Sequence, residues 1–280
     1  MNRSCRRAAY IALFLIGLAG ADTHAQPIDP FEFLDNELAA SRVRSLAEKG
    51  DAQAQAVLGA MYESGKGVQK DYIEAMKWYR RAADQGNASA QTSIGVMYAG
   101  GIGVARDHVE AVKWYRMAAG KGEPFAQAYL AICYEHGLGV PVDYSEAMKW
   151  YRLAANQGNA SGELGVGTLY GRGQGVDRND AEAARWFRRS ADHGNAKAQY
   201  DLGAMYALGN GVDQNLVDAY KWFALAVVNA STTETPVRDA AERGRDYIAV
   251  RLSPAQLNEA KKRAADWKRQ TAKAMPATSQ

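Results

Sequence analysis

Two patterns in this sequence use residue types that could do chemistry. Glycines separated by one residue could cradle a phosphate, and acidic residues three positions apart could act in acid and base catalysis. The glycine pairs are Gly65/Gly67, Gly101/Gly103, Gly137/Gly139, Gly173/Gly175 and Gly209/Gly211. The acidic or amide residues with their acidic followers are Asp71/Glu74, Asp107/Glu110, Asp143/Glu146, Asn179/Glu182 and Asn215/Asp218. Because both patterns recur five times and the glycines follow a helical pattern, we predict turns and helix caps here and no catalysis.

The remaining reactive side chains are scattered along the chain. The 4 histidines and 2 cysteines show neither the H-x-x-x-H nor the C-x-x-C spacing of a metal site. No G-x-S-x-G motif or serine-lysine pair offers a nucleophile. We therefore expect no catalytic residue, no cofactor and no metal. Cys133 stands where other copies of the pattern have Met61, Met97, Leu169 and Met205, which predicts a buried apolar role.

Both patterns belong to a longer unit that is written five times with a period of 36 residues. Its tryptophan recurs at Trp78, Trp114, Trp150, Trp186 and Trp222, and its tyrosine at Tyr62, Tyr98, Tyr134, Tyr170 and Tyr206. A fixed period of this length indicates stacked units, none of which can bury its apolar face alone. The chain is therefore predicted to present an extended surface.

Each unit contains two apolar stripes with helical spacing, separated by the glycine pair. Asp71 and its counterparts are placed to cap the second helix, and Asp51, Asn87, Asn159 and Asn195 to cap the first. The predicted fold is all-α: a right-handed α-solenoid of stacked antiparallel helix pairs, with five 36-residue repeats and terminal cap helices.

The predicted boundaries follow from this register. Residues 1–25 form a signal peptide, 26–50 a half-repeat that caps the N-terminal end, and 231–270 C-terminal cap helices opened by Thr235-Pro236 and Ser253-Pro254. Residues 271–280 are expected to be a disordered tail. The repeats are 51–86, 87–122, 123–158, 159–194 and 195–230.

The N-terminal segment predicts export. Three arginines precede an apolar run over residues 8–18, which is too short for a retained transmembrane anchor. The small residues Ala19-Gly20-Ala21 and the site after Ala25 are the two candidate cleavage points. Removal of this leader lowers the formal charge from +3 to +1, so no nucleic-acid partner is expected. No cysteine stands directly after the apolar run, and no stable membrane anchor is expected. The location is predicted to be the periplasm, with secretion as an alternative.

The repeated residues resemble the Sel-one-like repeat (SLR) family, a branch of the tetratricopeptide-like α-solenoids. The resemblance rests on L-G-x-x-Y, G-x-G-V, the capping aspartate, A-x-x-W-Y-x-x-A-A and the closing glycine, and it covers roughly residues 40–230. Departures are mild: Ala131 replaces a glycine, and Phe187 and Phe223 replace the second aromatic residue. The resemblance implies an adaptor that acts through protein partners, with cell-wall or polysaccharide assembly machinery among the candidates. A cysteine-rich subgroup is linked to β-lactams, but this chain lacks its paired cysteines.

A partner surface would lie on positions that vary between repeats. One stripe of the first helices varies in every copy, and in such solenoids the first helices line the concave side. From this stripe the candidate binding residues are Phe125, Tyr129, His136, Arg172, Val57 and Asp201. The third repeat is the expected anchor, because aromatic and arginine side chains dominate binding energies. The alternative is that Phe125 and Tyr129 pack under a neighbouring helix.

The expected function is a non-enzymatic scaffold of the bacterial envelope that binds a protein or peptide partner on the concave face. Two other functions remain open: an enzyme that acts on β-lactams or cell-wall material, and a glycan-binding module that uses exposed aromatic residues.

Overall fold

The computed structural model describes the backbone of residues 30–274 and the side chains of 37–267 and of 270. Within that range the chain forms thirteen α-helices. They are α1 (Pro30–Glu48), α2 (Ala52–Ser64), α3 (Tyr72–Asp84), α4 (Ala88–Gly100), α5 (His108–Gly120), α6 (Pro124–His136), α7 (Tyr144–Asn156), α8 (Ala160–Arg172), α9 (Asp180–Asp192), α10 (Ala196–Leu208), α11 (Leu216–Asn229), α12 (Thr235–Ala249) and α13 (Pro254–Ala274). The predicted leader lies outside the described residues.

The described chain forms two compact units, which are described separately. The first comprises residues up to Met97 together with Gly101–Ala105, and the second comprises Tyr98–Gly100 and the residues from Arg106 onward. In the first, α1 packs on α2 and α2 on α3; in the second, each helix from α6 to α12 packs on the one before it. This serial packing is that of an α-solenoid and agrees with the predicted fold class.

Helix starts are fixed by side-chain caps. Asp51, Asn87, Asn159 and Asn195 accept a hydrogen bond from the third residue of the first helices, as predicted. The second helices are capped in the same way by Asp71, Asp107, Asp143, Asn179 and Asn215. The sequence did not indicate the cap of α6, which is Glu123 followed by Pro124. Each cap contributes about 1 kcal/mol.

The two glycines of a pair have different functions in the four pairs from Gly101/Gly103 onward. The first ends a helix in the left-handed region, as at Gly137 with φ 70°, where its amide donates to the Cys133 carbonyl. The second brings the turn against the start of the preceding second helix: a Cβ on Gly139 would lie 2.3 Å from the His108 carbonyl oxygen. This contact between repeats goes beyond the predicted turn.

Two core positions are occupied in every repeat by residues that are at most 1% exposed, one by a branched aliphatic residue and one by alanine. The aliphatic residues are Leu58, Ile94, Leu130, Val166 and Leu202, and the alanines are Ala75, Ala111, Ala147, Ala183 and Ala219. Since alanine has no side chain beyond Cβ, the helices approach closely at these positions.

The C-terminal helix covers the last repeat, as expected of a terminal cap helix. Ala260 and Ala264 are buried, and the Trp267 ring meets the Trp222 ring edge-on at 6.4 Å. Ser253 and Gln256 form a reciprocal cap at its start. Asp218 forms an ion pair with Arg263 of α13, at 3.0 Å. The helix continues past residue 270 to Ala274, and the rest of the predicted tail lies outside the described residues.

No helix within residues 30–274 has both the length and the apolar character that crossing a bilayer requires.

Cys133 is buried, as its position in the repeat predicts, and burial raises the pKa of its thiol to about 11. Since the thiolate is the reactive form, we expect iodoacetamide to alkylate Cys133 about a hundredfold more slowly in the folded chain than in urea at pH 8. Mass spectrometry of the peptide that contains Cys133 measures this rate separately from that of Cys5. Equal rates in the two states would contradict the burial.

Candidate partner-binding surface

The variable stripe of the first helices is exposed at its aromatic residues. Phe125 is 58% exposed on α6, and Tyr129 is 37% exposed, with its ring packed in part against α5. Val57, on α2 of the first unit, is 38% exposed. Apolar side chains are therefore exposed to solvent on regularly repeated helices. We refer to the stripe within the second unit, on α6, α8 and α10, as the first-helix face.

Tyr129 is held in place by the aromatic residue below it. Its ring stacks on that of Tyr115 from α5, with centroids 5.3 Å apart and planes at 25°. Tyr115 is only 3% exposed, and burial raises the pKa of its hydroxyl. Such a stack restricts the orientation of the Tyr129 ring.

Arg172 lies between two carboxylates on the same face. Its guanidinium is 3.5 Å from Glu135 Oε1, and its charge also favours the ionised form of Asp201. Burial nevertheless raises the pKa of Asp201, which forms an ion pair with Lys197. The face thus carries charges of both signs beside the aromatic residues.

Glu135 is 7% exposed and accepts a hydrogen bond of 2.6 Å from the Tyr151 hydroxyl. Glu63 and Tyr79 make the same 2.6 Å bond in the first unit. In the second repeat, Tyr115 is retained, but position 99 is alanine. His136, the last residue of α6, is exposed directly after Glu135.

The tyrosine hydroxyls should differ in their contribution to stability. Tyr151→Phe removes a donor from a buried carboxylate and is expected to lower the free energy of unfolding by about 2 kcal/mol. Tyr115→Phe is the matched control and should change it by less than about 0.5 kcal/mol, since no carboxylate accepts from Tyr115. Urea unfolding followed by circular dichroism measures both. Equal losses would show that the Tyr151–Glu135 bond contributes nothing specific.

A second buried carboxylate breaks a repeated hydrogen-bond ladder. Four repeats have glutamine at the position of Glu163, and each donates to a carbonyl of the preceding repeat. The glutamines are Gln55, Gln91, Gln127 and Gln199. Glu163 is fully buried; its Oε1 accepts from Arg189 Nε at 3.0 Å, and its Oε2 lies 2.8 Å from His193 Nδ1. Arg189 also donates to the Ala155 carbonyl, the bond that glutamine makes in other repeats.

Among the described side chains, no group of three or more His, Cys, Asp and Glu is placed to hold a metal ion. The polar groups that do come together, around Glu135 and Glu163, each complete hydrogen bonds between neighbouring helices. The first-helix face thus presents exposed aromatic side chains and charged side chains held in ion pairs.

The Sel1 repeat family matches the chain over five consecutive segments: 52–87, 88–123, 124–159, 160–195 and 196–227. The chain belongs to the Sel1 repeat family. Sel1 repeat proteins are generally protein-interaction scaffolds. The resemblance predicted from the sequence is thereby confirmed.

Solved Sel1 repeat structures share this fold. A Sel1 repeat protein from Oxalobacter formigenes is 29% identical, with a TM-score of 0.69, and the match covers 84% of this chain and 93% of that one. A sel1 repeat protein from Klebsiella pneumoniae subsp. pneumoniae is 22% identical with a TM-score of 0.51, covering 75% of this chain and 99% of that one. No curated protein matches the chain.

The positions of Glu135 and Glu163 in the Sel1 repeat explain why these two residues were not predicted. Glu135 and Glu163 were not among the predicted site residues, because their partners lie 16 to 37 positions away. A signal for Glu163 existed: it is the one acidic residue in a column of glutamines. For Glu135 the signal was that two positions change together. Repeats with glutamate near the end of the first helix have tyrosine on the second helix, whereas those with Gly171 or Ala207 have phenylalanine there.

Proposed function

We propose that this protein is a non-enzymatic scaffold that binds a peptide or a protein domain on the first-helix face. The observation that carries the proposal is the exposure of Phe125 and Tyr129 on a rigid frame, at positions that the repeat leaves free to vary. Family membership supports a protein partner. Arg172 and Asp201 extend the same face toward the fourth and fifth repeats, with charges that can select among partners.

The proposed location is the envelope, reached by export through a cleaved signal peptide, with the periplasm preferred over secretion. Its support is the order of arginines, apolar run and small residues at the N-terminus. Cell-wall or polysaccharide assembly machinery is the proposed source of the partner. Fractionation of cells that express the chain should recover a shortened form beginning near residue 26. A full-length cytoplasmic form would contradict export.

The face is tested by alanine substitution at its aromatic anchors. Phe125→Ala with Tyr129→Ala is expected to reduce recovery of partners from an envelope extract at least tenfold, because buried aromatic anchors contribute about 2 kcal/mol or more each. Tyr247→Ala is the matched control: Tyr247 is a similarly exposed aromatic residue on α12. Circular dichroism confirms that each variant retains its helices.

Unchanged recovery with the double variant would place binding elsewhere. Turnover of a β-lactam reporter or of peptidoglycan by the purified chain, abolished by a single substitution, would replace the scaffold with an enzyme. Specific retention on a glycan array that is lost with the same two aromatic residues would replace the protein partner with a sugar.

A further inference from the structure

We propose that Tyr115 and His136 receive a carboxylate from the partner, supplied by an Asp or Glu side chain next to an apolar residue. The apolar neighbour packs on Phe125 and Tyr129. This inference rests on the proposed function, and it specifies the chemistry of the segment that binds.

The third repeat shows how this fold holds a carboxylate at that place. Glu135 lies at the end of a first helix and accepts a hydrogen bond from the Tyr151 hydroxyl, which comes from the second helix of the same repeat. Arg172, at the end of the next first helix, approaches its other oxygen at 3.5 Å. One tyrosine hydroxyl and one cationic side chain therefore bind one carboxylate.

The equivalent positions one repeat earlier carry two donor side chains but no acceptor. Subtracting 36 from Glu135, Tyr151 and Arg172 gives Ala99, Tyr115 and His136. Tyrosine is retained as a donor, and histidine, which can donate or carry charge, takes the place of arginine. The acceptor side chain has been replaced by a methyl group.

The other repeats show that donor and acceptor usually change together. The first repeat has both Glu63 and Tyr79, which are bonded. In the fourth and fifth repeats both are absent, because Phe187 occurs with Gly171 and Phe223 with Ala207. The second repeat alone keeps the hydroxyl without a carboxylate in the sequence.

The surroundings of Tyr115 suit a partner carboxylate next to an apolar group. Burial raises the pKa of the Tyr115 hydroxyl, so it remains a donor throughout the physiological range. Ala99 is half-buried, and Phe125 and Tyr129 are exposed on α6. A hydrogen bond from a mostly buried hydroxyl to a charged acceptor is worth more than one in water.

The geometry is tested first within the chain itself. Ala99→Glu supplies the acceptor internally and is expected to raise the thermal unfolding midpoint by about 2–4 °C. The gain should be absent for Ala99→Gln, and it should disappear when Ala99→Glu is combined with Tyr115→Phe. A gain that is independent of Tyr115, or no gain, would overturn the assignment of this pair as a carboxylate receptor.

Binding is then measured with a defined probe. The full chain is applied to an array of short peptides whose central residue is Glu, Asp, Gln or Asn and whose neighbours are Leu, Phe or Ser. We expect the acidic peptides with an apolar neighbour to bind at least tenfold more tightly than their amide counterparts. Ala99→Glu and Tyr115→Phe should each remove that preference.

The outcomes separate this inference from the proposed function. If Phe125→Ala with Tyr129→Ala abolishes binding while Ala99→Glu and Tyr115→Phe leave the acidic preference intact, the face is correct and the receptor pair is wrong. Equal binding of acidic and amide peptides, or no peptide binding at all, also overturns the inference. Recovery of partners from envelope extract that is unaffected by Phe125→Ala with Tyr129→Ala would overturn the proposed function itself.

Discussion

Gly139→Ala is expected to lower the free energy of unfolding by about 3–5 kcal/mol. The residue has φ 73°, which costs any L side chain about 1–2 kcal/mol. The added Cβ would also lie 2.3 Å from the His108 carbonyl oxygen and 2.7 Å from the Val109 amide nitrogen. Both atoms belong to the backbone where α5 begins, so the clash can be relieved only by moving one repeat away from the next.

Gly122→Ala is the matched control, because it measures the cost of the left-handed backbone conformation without the steric clash. Gly122 has φ 88°, and a Cβ there would meet no atom within 4 Å. We expect a loss of about 1 kcal/mol for this variant. Urea unfolding monitored by circular dichroism gives both values, and similar losses for the two variants would show that the glycine pair acts only as a turn.

Glu163→Ala is expected to cost about 2 kcal/mol of unfolding free energy. The substitution removes the acceptor of two hydrogen bonds, from Arg189 and from His193. Removing one partner of a buried ion pair can cost about 3–5 kcal/mol, but Arg189 and His193 are half-exposed and regain water, which lowers the loss.

Glu163→Gln is the informative comparison, because glutamine stands at this position in the other four repeats. The amide can take the place of the carboxylate in the ladder, so we expect a loss below about 1 kcal/mol. Chemical unfolding of the three proteins in one buffer measures the series. If Glu163→Gln lowered the free energy of unfolding as much as Glu163→Ala, the negative charge of Glu163 would be what stabilises the fourth repeat. Hydrogen bonding by a polar side chain at this position would then not be sufficient.

The features that could be predicted from the sequence are those fixed by local chemistry. Asp71 caps a helix whose first turn follows directly, and Gly137 ends one in the left-handed region, so each is recognisable from its neighbours. Because these signals recur in five copies, the fold class could be predicted from the sequence. Cys133 could be placed in the core because its counterparts in other repeats are apolar.

The features that could not be predicted depend on contacts between helices. In the four pairs from Gly101/Gly103 onward, the second glycine is required by atoms about 30 residues earlier, as Gly139 is by His108. The stack of Tyr129 on Tyr115 joins two helices, and only the structure shows that Tyr129 stays exposed. Sequence spacing identified the variable stripe, whereas burial and ring geometry distinguish an exposed anchor from a core residue.

The central claim, that the partner binds on the first-helix face of the second unit, is tested most directly by site-specific photo-crosslinking in cells that make the protein. A photoreactive amino acid replaces Ser161, an exposed residue of α8 in the same variable stripe as Phe125; Lys149 on the second helix α7 is the control. We predict a discrete adduct from position 161 that is lost with Phe125→Ala and Tyr129→Ala, and none from position 149. An adduct from position 149 without one from position 161 would contradict the account.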